Sequence, residues 1–252
     1  PKDLFDDIVC SDDGSKDNSI AVILALKEDY NFEVVTRENR GLSFTLNEGI
    51  NLASGKYICI LASDDYYLSS RVKSAVSVLE ESDERVFAVY CDGYIVDKSG
   101  QKLGLFSDKY VRPLVGGTYN NLIAGNWLPA MGMTYKSAVL ARFMFDPKYK
   151  IEDHSLYLKM FAEKNAKLLA ISTCGFAYRL HGDNFSEDLD IMKAQHELIV
   201  DHFPEMKSYQ YFIQSIRTFG RLHRESISIR NITILFLVLI RKLQQRLLFR
   251  NY

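Results

Sequence analysis

Strand-like apolar segments alternate with helical patterns in the first part of the chain, and this alternation restricts the fold more than any other feature. The predicted strands are residues 5–10, 32–36, 57–61 and 86–96, with helical apolar spacing between them. Such alternation is typical of an α/β domain, in which a mainly parallel sheet carries helices on both faces. Ligands of these sheets bind beyond the carboxyl ends of the strands. The residues that follow each strand are therefore the first candidates for a functional site.

Two acidic pairs occupy such strand ends. Asp12 and Asp13 follow the first predicted strand, and Asp64 and Asp65 follow the third. Each pair alone has an ordinary explanation, a strand–turn–helix cap for the first and a solvated turn for the second. Carboxylate oxygens also suit Mg²⁺ and Mn²⁺, and a bound cation would let an acidic site receive phosphate groups. Considered separately, the pairs leave both interpretations open.

A third acidic pair and one histidine extend the pattern. Glu152 and Asp153 begin a predicted helix, where the helix dipole commonly stabilises carboxylates. His181 follows a later predicted strand, and by itself it could be an ordinary loop histidine. Features that are individually weak become informative when one site explains all of them.

The motifs also occur in a particular order along the chain. They are D-D-G-S-K-D at 12–17, N-R-G at 39–41 with Asn47, G-K-Y-I at 55–58 with Asp64 and Asp65, E-D at 152–153, and Y-R-L-H at 178–181 with Asn184 and Ser186. This order resembles the inverting nucleotide-sugar glycosyltransferases of family 2, which build bacterial surface polysaccharides. The resemblance covers roughly residues 6–186 and implies the GT-A fold, a Rossmann-like α/β architecture, followed by a C-terminal helical extension.

The resemblance implies a donor site at the strand ends. Asp13 would accept hydrogen bonds from the base or ribose of a nucleotide-sugar donor, which we expect to be a UDP-sugar. The remaining donor contacts implied by the resemblance are Asp12, Asn47, Asp64 and Arg179.

The resemblance further implies a metal-dependent inverting transfer of the hexosyltransferase type. Asp65 and Asp64 would hold Mn²⁺ or Mg²⁺, and His181 would approach the metal or the diphosphate from the far side. Asp153 would be the general base that takes the proton of the acceptor hydroxyl, with Glu152 supporting it or touching the sugar. Asn126 and Trp127 fall where the family carries its acceptor-side loop. The acceptor would be a glycan or a lipid-linked glycan.

We expect two regions, a GT-A domain at residues 1–186 and a basic, amphipathic helical extension at 187–252. The family pattern begins with a strand–helix unit that would precede residue 1. Residues 214–252 contain eight Lys or Arg and one Glu, a net charge of +7 from eight minus one. The longest apolar segment, 234–240, is far shorter than the ~20 residues of a spanning helix. This extension could contact the inner-membrane surface or form a homodimer with a second copy.

Composition limits the remaining possibilities. The formal net charge of −1 excludes a globally basic nucleic-acid-binding protein. The cysteines are far apart and include no C-x-x-C pair, which favours free thiols in a reducing compartment. We therefore expect a cytoplasmic protein that can associate peripherally with the inner face of the cytoplasmic membrane.

Two other functions compete with sugar transfer. A GT-A-like module without catalytic activity could bind a nucleotide or a partner enzyme with the same fold. A sugar nucleotidyltransferase would require a Gly-rich phosphate loop with a lysine near the start, and none is visible in this sequence. Asp153 and the pair formed by Asp64 and Asp65 distinguish transfer from the silent module.

Overall fold

The computed structural model describes residues 5–110, 112, 117–182, 184, 186 and 188–208. The chain divides into two units between Phe203 and Pro204, and the first unit contains every helix and strand discussed below. The predicted boundary at residues 186 and 187 stays a prediction, and the basic segment 214–252 lies outside the described residues. Within the described part, no helix is both long enough and apolar enough to cross a membrane.

Strands and helices alternate as the apolar pattern predicts. In chain order they are β1 Val9–Asp12, α1 Ser19–Asp29, β2 Glu33–Thr36, α2 Leu42–Leu52, β3 Tyr57–Cys59, β4 Tyr66–Tyr67, α3 Arg71–Glu80, β5 Val86–Val96, β6 Lys102–Leu105, α4 Phe106–Lys109, α5 Thr118–Ala124, β7 Met133–Lys136, α6 Ser137–Phe143, α7 Glu152–Phe161, β8 Lys167–Arg179 and α8 Leu189–His202. A short 3₁₀ turn, Ala130–Gly132, precedes β7.

The strands form two sheets. β1 and β2 pair in parallel with each other, and the six remaining strands form a second sheet in the order β3-β7-β5-β8-β4, with β6 added on β5. The long central ladder between β5 and β8 is parallel, whereas the shorter pairings around it are antiparallel. The first two strands therefore do not join the main sheet in the described residues, although the sequence suggested one continuous sheet.

β8 is one long strand where the sequence pattern suggested two, at residues 166–171 and 175–180. The register against β5 shifts near Cys91 and Asp92, so the polar segment 172–174 forms an irregularity inside the strand instead of a turn. Gly175 permits this, because a Cβ atom there would lie 2.5 Å from the Cys91 sulfur. The strand consequently runs without a break to Arg179, at the edge where the motif residues lie.

The core lies between α3 and the β5–β8 ladder. Its fully buried members include Leu79 and Ala75 of α3, Val89 of β5 and Phe176 of β8. Gly93 of β5 lies under the Phe176 ring, and a Cβ there would come within 2.5 Å of it. This packing fixes β8, and through β8 it fixes the residues that follow its carboxyl end.

Candidate functional site

Asp64 and Asp65 lie in the turn between β3 and β4. Asp65 is only 8% exposed, and its Oδ1 accepts a hydrogen bond of 2.8 Å from the Arg179 backbone N–H. Its Oδ2 is buried and has no hydrogen-bond partner among the residues that the structure describes. Burial raises the pKa of Asp65 to about 6; the Arg179 hydrogen bond opposes this rise and the Asp64 charge adds to it. A buried carboxylate oxygen without a partner is a position that a cation would satisfy.

His181 lies beside this acidic pair. Its Nε2 is 3.0 Å from Oδ2 of Asp64, although 117 residues separate the two. Asn184 shapes the loop between β8 and His181, because its Oδ1 accepts from the His181 N–H at 2.9 Å and its Nδ2 donates to the Arg179 carbonyl at 2.8 Å. Gly182 adopts φ +85°, which lets the chain turn sharply there. The structure thus brings together Asp64, Asp65 and His181.

The side chain of Arg179 binds backbone carbonyls. Its Nε donates to the Asp64 carbonyl at 3.0 Å and its Nη1 to the Lys98 carbonyl at 3.0 Å. The guanidinium therefore holds the turn after β5 against the Asp64 turn. Its predicted contact with the donor stays a prediction.

Glu152 and Asp153 form the first turn of α7. Burial raises the pKa of Glu152 to about 8, and the neighbouring charge of Asp153 adds to the rise. Burial also raises the pKa of Asp153, while hydrogen bonds oppose it: Nδ2 of Asn126 lies 3.2 Å and 3.1 Å from the two carboxylate oxygens, and the His154 N–H donates at 2.6 Å. A pKa of about 8 keeps Glu152 largely protonated at neutral pH.

Tyrosine side chains interact electrostatically with both acidic groups. The hydroxyls of Tyr135 and Tyr157 are 3.2 Å apart. Burial raises the pKa of Tyr135 and of Tyr67, and the negative charges of Asp153 and Asp65, respectively, raise them further. The charge of Tyr67 also acts on the pKa of Tyr135.

Asp12 and Asp13 bind the backbone of neighbouring loops. Oδ2 of Asp12 accepts from the N–H groups of Gly14 and Ser15 at 3.0 Å and 3.1 Å, which gives it the predicted turn-capping contacts. Asp13 accepts from the N–H groups of Arg40 and Gly41 at 2.9 Å and 2.8 Å. These bonds join the motif at 12–17 to the motif at 39–41.

Asn47 joins α2 to the segment before α7. Its Nδ2 donates to the Phe145 carbonyl at 2.7 Å and its Oδ1 accepts from the Phe145 N–H at 2.8 Å. Both ends of the amide are thus used within the protein, and the predicted contact of Asn47 with the donor stays a prediction.

Two further residues contact the predicted site residues, and the sequence did not predict these contacts. Arg37 forms an ion pair with Glu48 at 2.7 Å, and its other terminal nitrogen lies 3.8 Å from Asp13. Asn126, which the sequence assigned only to a loop, contacts Asp153 directly. No local pattern signals either contact, because each partner lies far away along the chain.

A cavity of about 390 Å³ lies elsewhere, near the amino ends of β5 and β8. Its lining includes Arg85, Phe87, Arg142 and Glu163, and none of the predicted site residues. Asp64, Asp65 and His181 lie at the carboxyl end of β8, so this cavity is separate from them.

Comparisons with known proteins also indicate a glycosyltransferase. A family model described as "Glycosyl transferase family 2" matches residues 2–143. An "Uncharacterized glycosyltransferase" of Rickettsia felis is 30% identical over 107 residues, which are 42% of this chain and only 17% of that protein. The Escherichia coli protein WfgD, named "UDP-Glc:alpha-D-GlcNAc-diphosphoundecaprenol beta-1,3-glucosyltransferase", is 24% identical over 218 residues, 84% of this chain and 81% of WfgD.

Solved structures resemble the chain in fold. The Staphylococcus aureus TarS fragment 1-349 in complex with UDP-GlcNAc gives a TM-score of 0.57 at 20% identity, covering 79% of this chain and 58% of TarS. Glucosyl-3-phosphoglycerate synthase from Mycobacterium tuberculosis, solved with Mn²⁺ and UDP, gives 0.52 at 17% identity, covering 80% and 68%. This likeness confirms the predicted α/β fold of the GT-A class. Because the family match spans more than half of the chain, the protein belongs to glycosyl transferase family 2.

Proposed function

We propose that the protein transfers a sugar from a UDP-sugar to a hydroxyl of a lipid-linked glycan, with inversion at C1. The observation that carries this proposal is the 3.0 Å contact between His181 and Asp64, beside the unpartnered oxygen of Asp65. It joins two distant motifs into one acidic centre, as the family membership leads us to expect. UDP-glucose is the first donor to test, because WfgD and two further relatives, from E. coli and Campylobacter jejuni, are named as β-1,3-glucosyltransferases.

Asp153 is the proposed general base. It takes the proton of the acceptor hydroxyl while the hydroxyl oxygen forms a bond to C1 of the donor sugar. The bond between C1 and the diphosphate oxygen breaks, and UDP leaves with the electron pair from the opposite face. One such displacement inverts C1, so an α-linked donor gives a β-linked product. Glu152 retains its proton at neutral pH, which leaves it able to donate a hydrogen bond to the substrate.

The acidic centre fits a divalent cation. Asp64, Asp65 and His181 would hold Mn²⁺ or Mg²⁺, and the unpartnered Oδ2 of Asp65 supplies a ready ligand. Within the part of the chain that the structure describes, no group of three or more His, Cys, Asp or Glu side chains is arranged to hold a metal ion by itself. Water and diphosphate oxygens would therefore complete the coordination, as is common for Mg²⁺. When bound, the cation neutralises charge on the leaving diphosphate.

Asp13 is the proposed contact to the base or ribose of the donor. Each of its oxygens accepts one backbone hydrogen bond and retains a second accepting direction. Asp12 and Asn47 would support this side of the donor through the loops that they hold. Arg179 would act through its contacts with the Asp64 turn.

A lipid-linked acceptor would require the protein to act at a membrane surface. The names of WfgD and of the C. jejuni relative specify undecaprenol-linked acceptors, and a lipid of this kind lies in a membrane. The net charge of +7 in residues 214–252, eight basic residues minus one acid, would favour an anionic membrane surface. We therefore propose peripheral association with the inner face of the cytoplasmic membrane. Concentration-dependent dimerisation of the full chain, without vesicle binding, would favour the homodimer instead.

A transfer assay tests the function directly. The full chain is incubated with GlcNAc-diphosphoundecaprenol, Mn²⁺ and one of UDP-glucose, UDP-galactose, UDP-GlcNAc or GDP-mannose. Mass spectrometry detects the added hexose, and the coupling constant of its anomeric proton reports the configuration. We expect β-linked glucose from UDP-glucose, and strong dependence on Mn²⁺ that EDTA removes.

If no transfer is seen, thermal unfolding with UDP distinguishes a silent nucleotide-binding module from a protein that binds no nucleotide. A nucleotide at 100 times its dissociation constant stabilises a protein by ~2.7 kcal/mol. Stabilisation by UDP without transfer from any donor would favour the catalytically silent module. If UDP does not stabilise the protein and no donor is transferred, the nucleotide-sugar proposal is refuted.

A further inference from the structure

Asn126 has one defined orientation beside the proposed base. It lies between α5 and the 3₁₀ turn, and its Nδ2 is 3.2 Å and 3.1 Å from the two carboxylate oxygens of Asp153. Rotating the amide by half a turn would place Oδ1 against these oxygens, where acceptor would face acceptor. The contact with Asp153 therefore fixes the direction of the other end of the amide.

The other end of the amide is unused. Oδ1 of Asn126 is buried and has no hydrogen-bond partner among the described residues. Native proteins rarely leave a buried acceptor unpaired, because burial removes its hydrogen bonds to water. A ligand that supplies a hydrogen-bond donor would satisfy this oxygen.

The position of Asn126 restricts the chemistry of that ligand. The hydroxyl under attack must contact Asp153, and one amide group separates Asp153 from the unpaired oxygen. A ligand that donates hydrogen bonds at both positions therefore carries two neighbouring hydroxyl groups, as a sugar ring does on adjacent carbons. We propose that Asn126 orients the Asp153 carboxylate through Nδ2 and accepts, through Oδ1, a hydrogen bond from the acceptor hydroxyl adjacent to the one attacked. The inference rests on the proposed function, and it assigns a residue to acceptor recognition.

The electrostatic surroundings of Asp153 allow the positioning role to be measured. Asp153 interacts electrostatically with Glu152, Tyr135 and Tyr157. It also accepts hydrogen bonds from the Asn126 side chain and the His154 N–H. Of these, Asn126 is the one side chain that lowers the pKa of Asp153 against burial, and its effect is larger than that of the His154 N–H. Removing it should raise that pKa further, and the acid limb of the transfer activity should move to higher pH.

The recognition role is tested with a modified acceptor. Attack at O3 of GlcNAc, as in a β-1,3 linkage, leaves the hydroxyl on C4 as the neighbour. Wild-type protein and Asn126→Ala are assayed with GlcNAc-diphosphoundecaprenol and its 4-deoxy analogue, using UDP-glucose and Mn²⁺. We expect the wild type to lose about tenfold or more in kcat/KM on the analogue, since a site built to bind a hydroxyl rejects the compound that lacks it. Asn126→Ala should be slower on the natural acceptor and should discriminate little between the two.

A matched variant and a second substitution keep the test specific. Asn120→Ala, at an exposed position on α5, removes the same amide from the same segment and should behave as wild type. Asn126→Ser serves if Asn126→Ala fails to fold, because it leaves a polar group with a shorter reach. Equal discrimination by wild type and an Asn126 variant, with an unmoved pH profile, would overturn the inference.

A readout without turnover distinguishes this inference from the proposed function. Absence of transfer by the wild type would refute the proposed function and, with it, the recognition role. The positioning role is then read from urea unfolding at about pH 5 and about pH 8, since Asn126 stabilises the ionised carboxylate more than the protonated one. We expect the destabilisation by Asn126→Ala to be larger at the higher pH. A pH-independent difference would overturn the positioning role as well.

Discussion

Nε2 of His181 lies 3.0 Å from Oδ2 of Asp64 because β4 pairs with β8. The antiparallel register places Tyr66 opposite Ala177 and Tyr67 opposite Phe176. Continuing this register one step beyond the ladder brings the acidic turn before β4 to the end of β8. Two motifs that are far apart in the chain are thus parts of one structural unit, and substitutions in either should affect the same step.

Replacing His181 by Gln should weaken nucleotide and metal binding with little effect on folding. The pair is partly exposed, so its contribution to the free energy of unfolding is at most about 1 kcal/mol. We expect transfer to fall at least about tenfold, as for the loss of a group that stabilises the leaving diphosphate. Thermal shifts with UDP, with and without Mn²⁺, measure the effect. His202→Gln, at an exposed position at the end of α8, is the control. Equal Mn²⁺-dependent shifts in wild type and His181→Gln would exclude His181 from the metal site.

Replacing Asp153 by Asn should abolish transfer and leave UDP binding intact. Removal of a general base costs typically ~10²–10⁴-fold in rate. Asparagine keeps the shape of the side chain, so the measured loss should appear in kcat, whereas the UDP dissociation constant should stay within about twofold of wild type. Asp29→Asn, at the exposed end of α1, is the matched control. Unchanged turnover in Asp153→Asn would reject Asp153 as the base.

The sequence predicted those parts of the fold that depend on local pattern. β5 is found at the predicted residues, because a mainly apolar segment with most positions on both faces buried admits few alternatives. Asp12 ends β1, close to the predicted strand end, whereas β3 already ends at Cys59 and the unpredicted strand β4 follows Asp64 and Asp65. The roles of these acids remain predictions, because no ligand tests them.

The long-range contacts could not be predicted. The bonds of Asn47 to Phe145 and of Asn126 to Asp153 join segments whose approach depends on loop conformation and not on periodicity. The continuity of β8 was hidden by its polar segment before Gly175, which has the composition of a turn. Only the close packing against Cys91 shows why a glycine is needed there.

The stability of the protein should depend on pH through Glu152. Its folded-state pKa of about 8 lies above its ordinary value of 4.5, so the folded state binds a proton that the unfolded state releases between these values. This contribution to stability is fully present below about pH 4.5 and is lost as pH rises through about 8. Glu152→Gln removes the titration. The difference in unfolding free energy between Glu152→Gln and wild type should therefore increase with pH over that range, as measured by urea unfolding. A difference that does not change with pH would show that burial does not hold the proton on Glu152.

Alanine in place of Gly132 should destabilise the protein, whereas alanine in place of Gly49 should not. A Cβ at Gly132 would lie 2.6 Å from the Cys91 carbonyl oxygen and 2.7 Å from Pro129, and the backbone oxygen cannot move without disturbing β5. Overpacking of this kind costs about 1–3 kcal/mol. Gly49 lies within α2 with no atom within 4 Å of its Cβ position, so alanine there should gain up to about 1 kcal/mol from helix propensity. Urea unfolding of both variants measures the two effects, and equal midpoints would contradict the close packing of the 3₁₀ turn against β5.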